Sequence, residues 1–299
     1  SPIQKEYKWP GLFKPMAHQI ETASFLTLNP RAFCFNEQGT GKTASAIWAA
    51  DYLMEQKRIY RVLIICPLSI MQSAWQADLF KFAMHRKVGV AYGDRTKRKV
   101  VIDSDAEFVI INYDGVEIVA DDIARNNFDL IIIDEANAYK TITTQRWKTL
   151  NRILTPRTWL WMMTGTPAAQ SPTDAFGLAK LCVPDNVPRF FGAFRDQTMA
   201  QITKFKWLPK PDAQQTVFNA LQPAIRFEKK DCLDLPEVTH VFRDAPLTAQ
   251  QEKYYKLLKK DMLMVAAGEE VSTVNAAINL NKLLQISGGA VYSDTGAVV

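Results

Sequence analysis

Cysteine and histidine are scarce in this 299-residue sequence, and the few present do not cluster. Cys34, Cys66, Cys182 and Cys232 form no CxxC pair, so free thiols in a reducing compartment are the simple reading. His18, His85 and His240 stand far apart, which argues against a structural zinc site. No stretch approaches the roughly 20 consecutive apolar residues of a membrane helix, so no membrane partner is expected. The opening SPIQKEYKWP lacks the charged-then-apolar pattern of a secretion signal. Internal repeats, low-complexity tracts and long Gly/Ser linkers are missing too, and nothing points to an oligomer.

What is present is enough apolar material, 47%, for a sizeable core. The net charge of +5 is unevenly spread: residues 140–230 carry 14 basic and five acidic side chains, net +9, which leaves −4 for the rest. A basic segment beside a more acidic remainder suggests a surface for a polyanion.

Short runs rich in Val, Ile and Leu alternate with helix-like segments. Strands are expected over 32–35, 61–66, 107–112, 128–134 and 158–163, with helices over 42–55 and 70–84. The strand runs are continuous rather than alternating, which marks strands covered on both faces in a parallel sheet. The expected fold is α/β: a doubly wound, mostly parallel central sheet flanked by helices. After about residue 185 the texture changes, with Pro184, Pro188, Pro209, Pro211, Pro223 and Pro236 punctuating an aromatic-rich stretch. From 248 onward two helices are expected, 248–267 and 270–287, with Thr248 as N-cap and Gly268 as stop.

Asn36-Glu37-Gln38-Gly39-Thr40-Gly41-Lys42-Thr43 follows one expected strand and opens a helix, the context a phosphate-binding loop needs. Gly39 and Gly41 let backbone N–H groups of the loop, including those of Gln38 and Thr40, turn toward an anion. The helix start adds partial positive charge. Lys42 can reach β- and γ-phosphates, and Thr43 offers a hydroxyl to Mg²⁺. The start is a variant: Asn36 stands where Gly or Ala is usual.

About 90 residues on, LIIIDEAN puts Asp134 and Glu135 at the C-terminal end of a buried strand, the edge where open α/β sheets bind ligands. Asp134 is expected to hold Mg²⁺, partly through water. Glu135 is expected to orient and activate an attacking water. Thr164-Gly165-Thr166-Pro167 follows the next strand and can link a phosphate site to a neighbouring surface. Gln19, upstream of the loop, carries an amide that can pair with a donor and an acceptor on adenine. The cofactors these residues call for are ATP and Mg²⁺, with Lys42, Asp134 and Glu135 as the catalytic set.

Together these segments resemble the superfamily-two helicases, and among them the Swi/Snf-type double-stranded-DNA translocases. The resemblance rests on KPMAHQIETASFLTL (14–28), the loop 36–43, VLIICPLSIMQSAWQADL (62–79), FVIINY (108–113), DEAN (134–137), TGTP (164–167), and AIRFEKK (224–230) through Leu235-Pro236. It implies a RecA-like ATP-binding lobe over 1–230, with a helical or irregular insertion at about 185–222. Residues 231–299 then form a linker and C-terminal helical extension leading toward a second RecA-like lobe that carries arginine fingers.

The implied activity is DNA-dependent ATP hydrolysis and translocation on double-stranded DNA, weak in one lobe alone. A strand-separating RNA or DNA helicase, or a nucleotide-switched nucleic-acid-binding module, would share these motifs. In the family, Asn137, Thr164, Gly165 and Thr166 occupy positions that couple hydrolysis to nucleic-acid contacts, and Asn137 replaces the usual histidine. The compact motif set suggests a bacterial or viral source. That places the protein in the cytoplasm of a bacterium or virus-infected cell, or in a nucleus if eukaryotic.

Overall fold

The computed structural model describes residues 1–168, 170–204, 206–232, 239, 241–268 and 273–289. The chain divides into two compact units, Ser1–Leu235 and Pro236–Val299.

Among the described residues of the first unit nine strands form: β1 (Arg31–Cys34), β2 (Val62–Cys66), β3 (Val88–Ala91), β4 (Phe108–Asn112), β5 (Leu130–Asp134), β6 (Trp159–Met163), β7 (Met199–Gln201), β8 (Trp207–Pro209) and β9 (Ala224–Ile225). Seven of them make one sheet in the order β3-β4-β2-β5-β6-β1-β9. Every pairing in it is parallel. β7 and β8 form a separate antiparallel hairpin.

The sequence of each strand explains its place. In β2 and β5, Leu63, Ile65, Ile131 and Ile133 face one apolar cluster, while Val62, Ile64, Leu130 and Ile132 face the other. Both faces are dry, so both sets of alternate positions must be apolar, and the run reads as continuous. The cluster with Val62 and Ile132 takes its cover from helices Ala17–Leu28 and Lys42–Glu55, and the second cluster, with Leu63 and Ile131, from helices such as Gln145–Ile153 and Asp174–Cys182. The region 185–222 adds helices Phe191–Thr198 and Ala213–Ala220, and its Phe194, Ala220 and Leu221 extend the second cluster.

The β7–β8 hairpin falls in the region read only as a helical or irregular insertion, and further features also depart from the sequence reading. β3 and β9 were not expected, because VGVA and a two-residue AI are too short to stand out. The single helix expected over 70–84 is three pieces: a 3₁₀ turn Leu68–Ile70, a π-helical segment Met71–Gln76 and an α-helix Ala77–Phe82. Met71 and Trp75, four positions apart on one face, are both buried, whereas Gln72 and Ser73 between them stay exposed.

In the second unit, helices Ala249–Gly268 and Thr273–Gly288 form. Thr248 and Gln251 exchange reciprocal bonds at the first helix start: Gln251 N–H donates to Thr248 Oγ1 (3.3 Å) and Thr248 N–H to Gln251 Oε1 (2.8 Å). Leu235-Pro236 lies outside the described residues. Among the described residues no helix is long and apolar enough to cross a membrane.

Candidate nucleotide site

All seven parallel strands end at one edge of the sheet, and the segments singled out in sequence follow those ends. β1 and β6 are in register through Cys34 and Met163, and β5 and β6 through Asp134 and Met163. The loops after β1, β5 and β6 are therefore neighbours by construction.

The loop after β1 turns on two left-handed glycines, Gly39 (φ +87°) and Gly41 (φ +79°). At Gly41 the left-handed backbone disfavours any side chain, and a Cβ there would lie 2.2 Å from Gln19 Nε2 and force that amide to move. The Thr40 carbonyl is held by His18 Nε2 (2.8 Å) and by the Gln19 amide, which donates from Nε2 (3.2 Å). Gln19 Oε1 accepts from the Met16 N–H (2.9 Å). Each end of that amide keeps capacity for one more bond, which adenine can use. Thr40 also closes the turn through Oγ1 to the Glu37 carbonyl (2.8 Å). Gln38 is exposed at the tip.

Asn36, the variant residue, is buried. Its Nδ2 donates to Thr22 Oγ1 (2.8 Å), and its Oδ1 accepts from the Phe227 N–H (3.0 Å). A glycine could do neither, so the departure from the usual start gives the loop two extra anchors.

Lys42 begins helix Lys42–Glu55 and is only 8% exposed. Among the described residues its ammonium has no ion pair, although it is close enough to Asp134 to offset part of the rise that burial imposes on that carboxyl's pKa. A buried cation without a bound partner is costly unless an anion joins it. Thr43 follows on the first helical turn, half-buried.

Asp134 ends β5 and is 6% exposed. Its Oδ2 accepts from the Trp75 indole N–H (2.9 Å) and its Oδ1 from the Glu135 backbone N–H (3.0 Å). Burial raises its pKa, and the Trp75 bond, the Lys42 charge and the Glu135 N–H offset part of that rise. Such a carboxylate, held by neutral donors and short of solvent, suits a hard divalent cation. Glu135 adopts φ 49°, ψ 56°, a left-handed conformation rare for a residue with a side chain, and its side chain is exposed. Tyr113 pins this turn, donating its hydroxyl to the carbonyls of Asp134 (2.6 Å) and Glu135 (3.2 Å).

The loop after β6 joins the same site. The Asn137 amide lies 3.1 Å from Thr164 Oγ1, 2.7 Å from the Thr166 carbonyl and 3.3 Å from Thr166 Oγ1. The Thr164 N–H donates to the Cys34 carbonyl (3.1 Å), and Gly165 sits over the backbone of Asn36–Gln38. All the singled-out residues, Gln19, Gln38–Thr43, Asp134, Glu135, Asn137 and Thr164–Thr166, thus gather at one edge. His18, Trp75 and Tyr113 join them without having been singled out by role. Trp75 lay inside a quoted motif, but its partner is 59 positions away.

A phosphate loop after β1 facing an acidic turn after β5 on an open parallel sheet defines a RecA-like nucleotide-binding domain. The chain belongs to the SNF2-related domain family, whose model matches residues 18–287. It is 25% identical to putative protein p41 of Acyrthosiphon pisum secondary endosymbiont phage 1, over 94% of this chain and 65% of that protein. It is 26% identical to the chromatin-remodeling ATPase INO80 of Lodderomyces elongisporus, over 76% of this chain but 15% of that protein. The chain therefore spans under two thirds of these relatives. Its fold is similar to that of the Sulfolobus solfataricus SWI2/SNF2 ATPase core in complex with double-stranded DNA. There the TM-score is 0.65 at 22% identity, covering 93% of this chain and 59% of that one.

Proposed function

We propose that this chain is the ATP-binding and hydrolysing lobe of a DNA-dependent ATPase that translocates on double-stranded DNA. The observation that carries the reading is the unpaired, buried Lys42 ammonium beside the buried Asp134 carboxylate, with Gly41 leaving the loop no side chain. A cation and a hard-oxygen ligand at one glycine-opened loop fit a magnesium–nucleotide pair.

In this reading Gln38–Thr43 bind the phosphates through backbone N–H groups and the Lys42 ammonium. Gln19 meets adenine. Thr43 and Asp134 hold Mg²⁺, which when bound neutralises charge on the phosphates. Glu135, turned outward by its left-handed backbone, positions the attacking water and takes its proton. Asn137 passes the state of that turn to Thr164 and Thr166. Arginine fingers from a second lobe of the full-length protein complete the site. Without them turnover is low, because such a finger contributes roughly 10³–10⁵ in rate.

The duplex partner is supported by the segments that follow β2 and β4 at the same edge. Leu68, Ser69, Gln72 and Ser73, with Val90 and Tyr92, line a cavity of about 310 Å³ there. Asn112 is fixed by Arg98 (2.9 Å). Backbone contacts from such a face give salt-dependent, sequence-tolerant binding. The aromatic–basic stretch is partly self-engaged, since Arg195 stacks on Trp207 at 4.1 Å.

The experiment is ATP turnover by the full-length protein with and without duplex DNA, in wild type and Lys42→Ala. The variant should lose turnover while still binding duplex, and wild-type turnover in Lys42→Ala would sink the assignment. Displacement of a triplex strand by the wild type, without unwinding of forked substrates, is the outcome expected of a translocase. The reverse outcome would make it a strand-separating helicase.

A further inference from the structure

The phosphate loop is bordered by a second lysine that the reaction scheme above leaves without a role. β9 lies alongside β1, and the pairing continues past both strand ends. The Phe35 N–H donates to the Ile225 carbonyl (2.8 Å) and the Glu37 N–H to the Phe227 carbonyl (3.0 Å). The Phe227 N–H donates to Asn36 Oδ1 (3.0 Å), and the Lys229 N–H to Glu37 Oε2 (2.8 Å). Four bonds thus fix the backbone of Lys229 against the loop, 190 residues away in sequence.

The side chain then runs along the loop. A Cβ placed on Gly39 would lie 3.2 Å from Lys229 Cε and 3.6 Å from its Nζ. The neighbouring charges are already answered. Arg226 and Lys230 both pair with Glu228, at 3.4 and 2.8 Å. The Glu37 carboxylate accepts the Lys229 backbone N–H, and among the described residues it makes no ion pair with the Lys229 ammonium. Among the described residues the Lys229 ammonium has neither an ion pair nor a hydrogen bond, and its residue is half-buried. Lys42 and Lys229 therefore flank one glycine-rich loop, both cationic and both unpaired, where the helix start adds further positive potential. A polyanion bound at the loop would meet both charges.

We propose that Lys229 is a second phosphate-binding cation of the nucleotide site, contacting the polyphosphate from the Gly39 side of the loop. The inference rests on the nucleotide reading above, and it goes beyond it by giving a binding role to the segment that follows β9. Because the Lys229 backbone N–H makes the contact to Glu37, Lys229→Ala removes the ammonium and keeps the anchor.

The test uses this full chain with four probes: Mg-ATP, Mg-ADP, inorganic tripolyphosphate and adenosine, each titrated by calorimetry. Lys229→Ala should weaken both nucleotides and tripolyphosphate about tenfold, the scale of one charge-assisted contact, and leave adenosine unchanged. Lys229→Arg should recover most of the loss, and Lys230→Ala, whose charge is spent on Glu228, should bind as wild type. If Lys229→Ala binds all probes as wild type while Lys42→Ala weakens the nucleotides and tripolyphosphate, the second cation is refuted and the nucleotide reading stands. If Lys42→Ala also binds as wild type, the nucleotide reading falls and this inference with it. A uniform loss in Lys229→Ala that includes adenosine would mark a packing role and overturn the proposal.

Discussion

Two aspartates of the first unit are almost equally buried, Asp51 at 0% and Asp134 at 6% exposure, yet they are treated in opposite ways. Asp51, in helix Lys42–Glu55, is fully subscribed. Its Oδ2 accepts from the Tyr7 hydroxyl (2.5 Å), and its Oδ1 meets Arg86 Nε (2.5 Å) and His85 Nε2 (2.9 Å). Arg86 goes on to Glu107 at 2.8 Å. Glu55 and His85 stand near enough to make a trio with Asp51 that could hold a metal, but the arginine already occupies the cation's place. Asp134 is held only by an indole and a backbone N–H, with its nearest cation unpaired. A carboxylate that closes its own charge balance holds the fold together. One left short of a cation is prepared for a ligand, and the fold bears the cost.

Variants can break this contrast from either side. The largest effect is expected at Asp51→Ala. It uncouples Arg86 and Tyr7 from one buried acceptor and should cost roughly 3–5 kcal/mol in urea unfolding, with turnover per folded molecule unchanged. A stability loss under about 1 kcal/mol would show that the clamp is not structural. Next, Asp134→Asn should lower magnesium-dependent turnover roughly a hundredfold or more without destabilising the chain.

The same variant sharpens a pH prediction. The folded pKa of Asp134 is raised, so the native state binds its proton more tightly than the unfolded chain does. Its contribution therefore grows unfavourable as pH climbs from the ordinary aspartate value, about 3.9, through the higher folded value. Over that window wild type should lose stability relative to Asp134→Asn, measured by unfolding at a series of pH values. Parallel curves would contradict the burial argument.

Trp75→Phe keeps the ring packing and removes the indole donor. Turnover should fall about tenfold, in the range found when a metal ligand loses its supporting partner. Asn137→Ala should have the smallest effect on basal turnover, within about twofold, while DNA stimulation of turnover drops several-fold. Stimulation equal to wild type would remove Asn137 from the coupling role. The bridge it loses ties the loop after β5 to Thr164 and Thr166 in the loop after β6.

The contrast also explains what could be read in the sequence. Residues 36–43 and 130–137 were legible because glycines, lysine and paired acids follow apolar strands within a few positions, so chemistry and local structure coincide. The two-sided burial of the sheet was legible in LIIID and VLIIC for the same reason. Asp51 was not singled out, since its partners Tyr7, His85 and Arg86 are 34 or more residues away and none belongs to a motif. Trp75 could be seen as part of a motif but not as the donor to Asp134, because the two are 59 positions apart and meet only in the folded sheet. Lys229 reaches Gly39 only through the pairing of β9 with β1, and a two-residue strand leaves almost no periodic signal. Sequence shows a residue's chemical type, and only the folded chain shows whether its charge is already answered.

The most direct test of the central claim is DNA-stimulated ATP turnover by the full-length protein carrying Glu135→Gln. That change leaves the left-handed turn and the Asp134 contact to its backbone N–H in place, and removes only the carboxylate proposed to take the proton. The account predicts nucleotide and duplex binding like wild type, with turnover reduced to background. Turnover at the wild-type rate would contradict it.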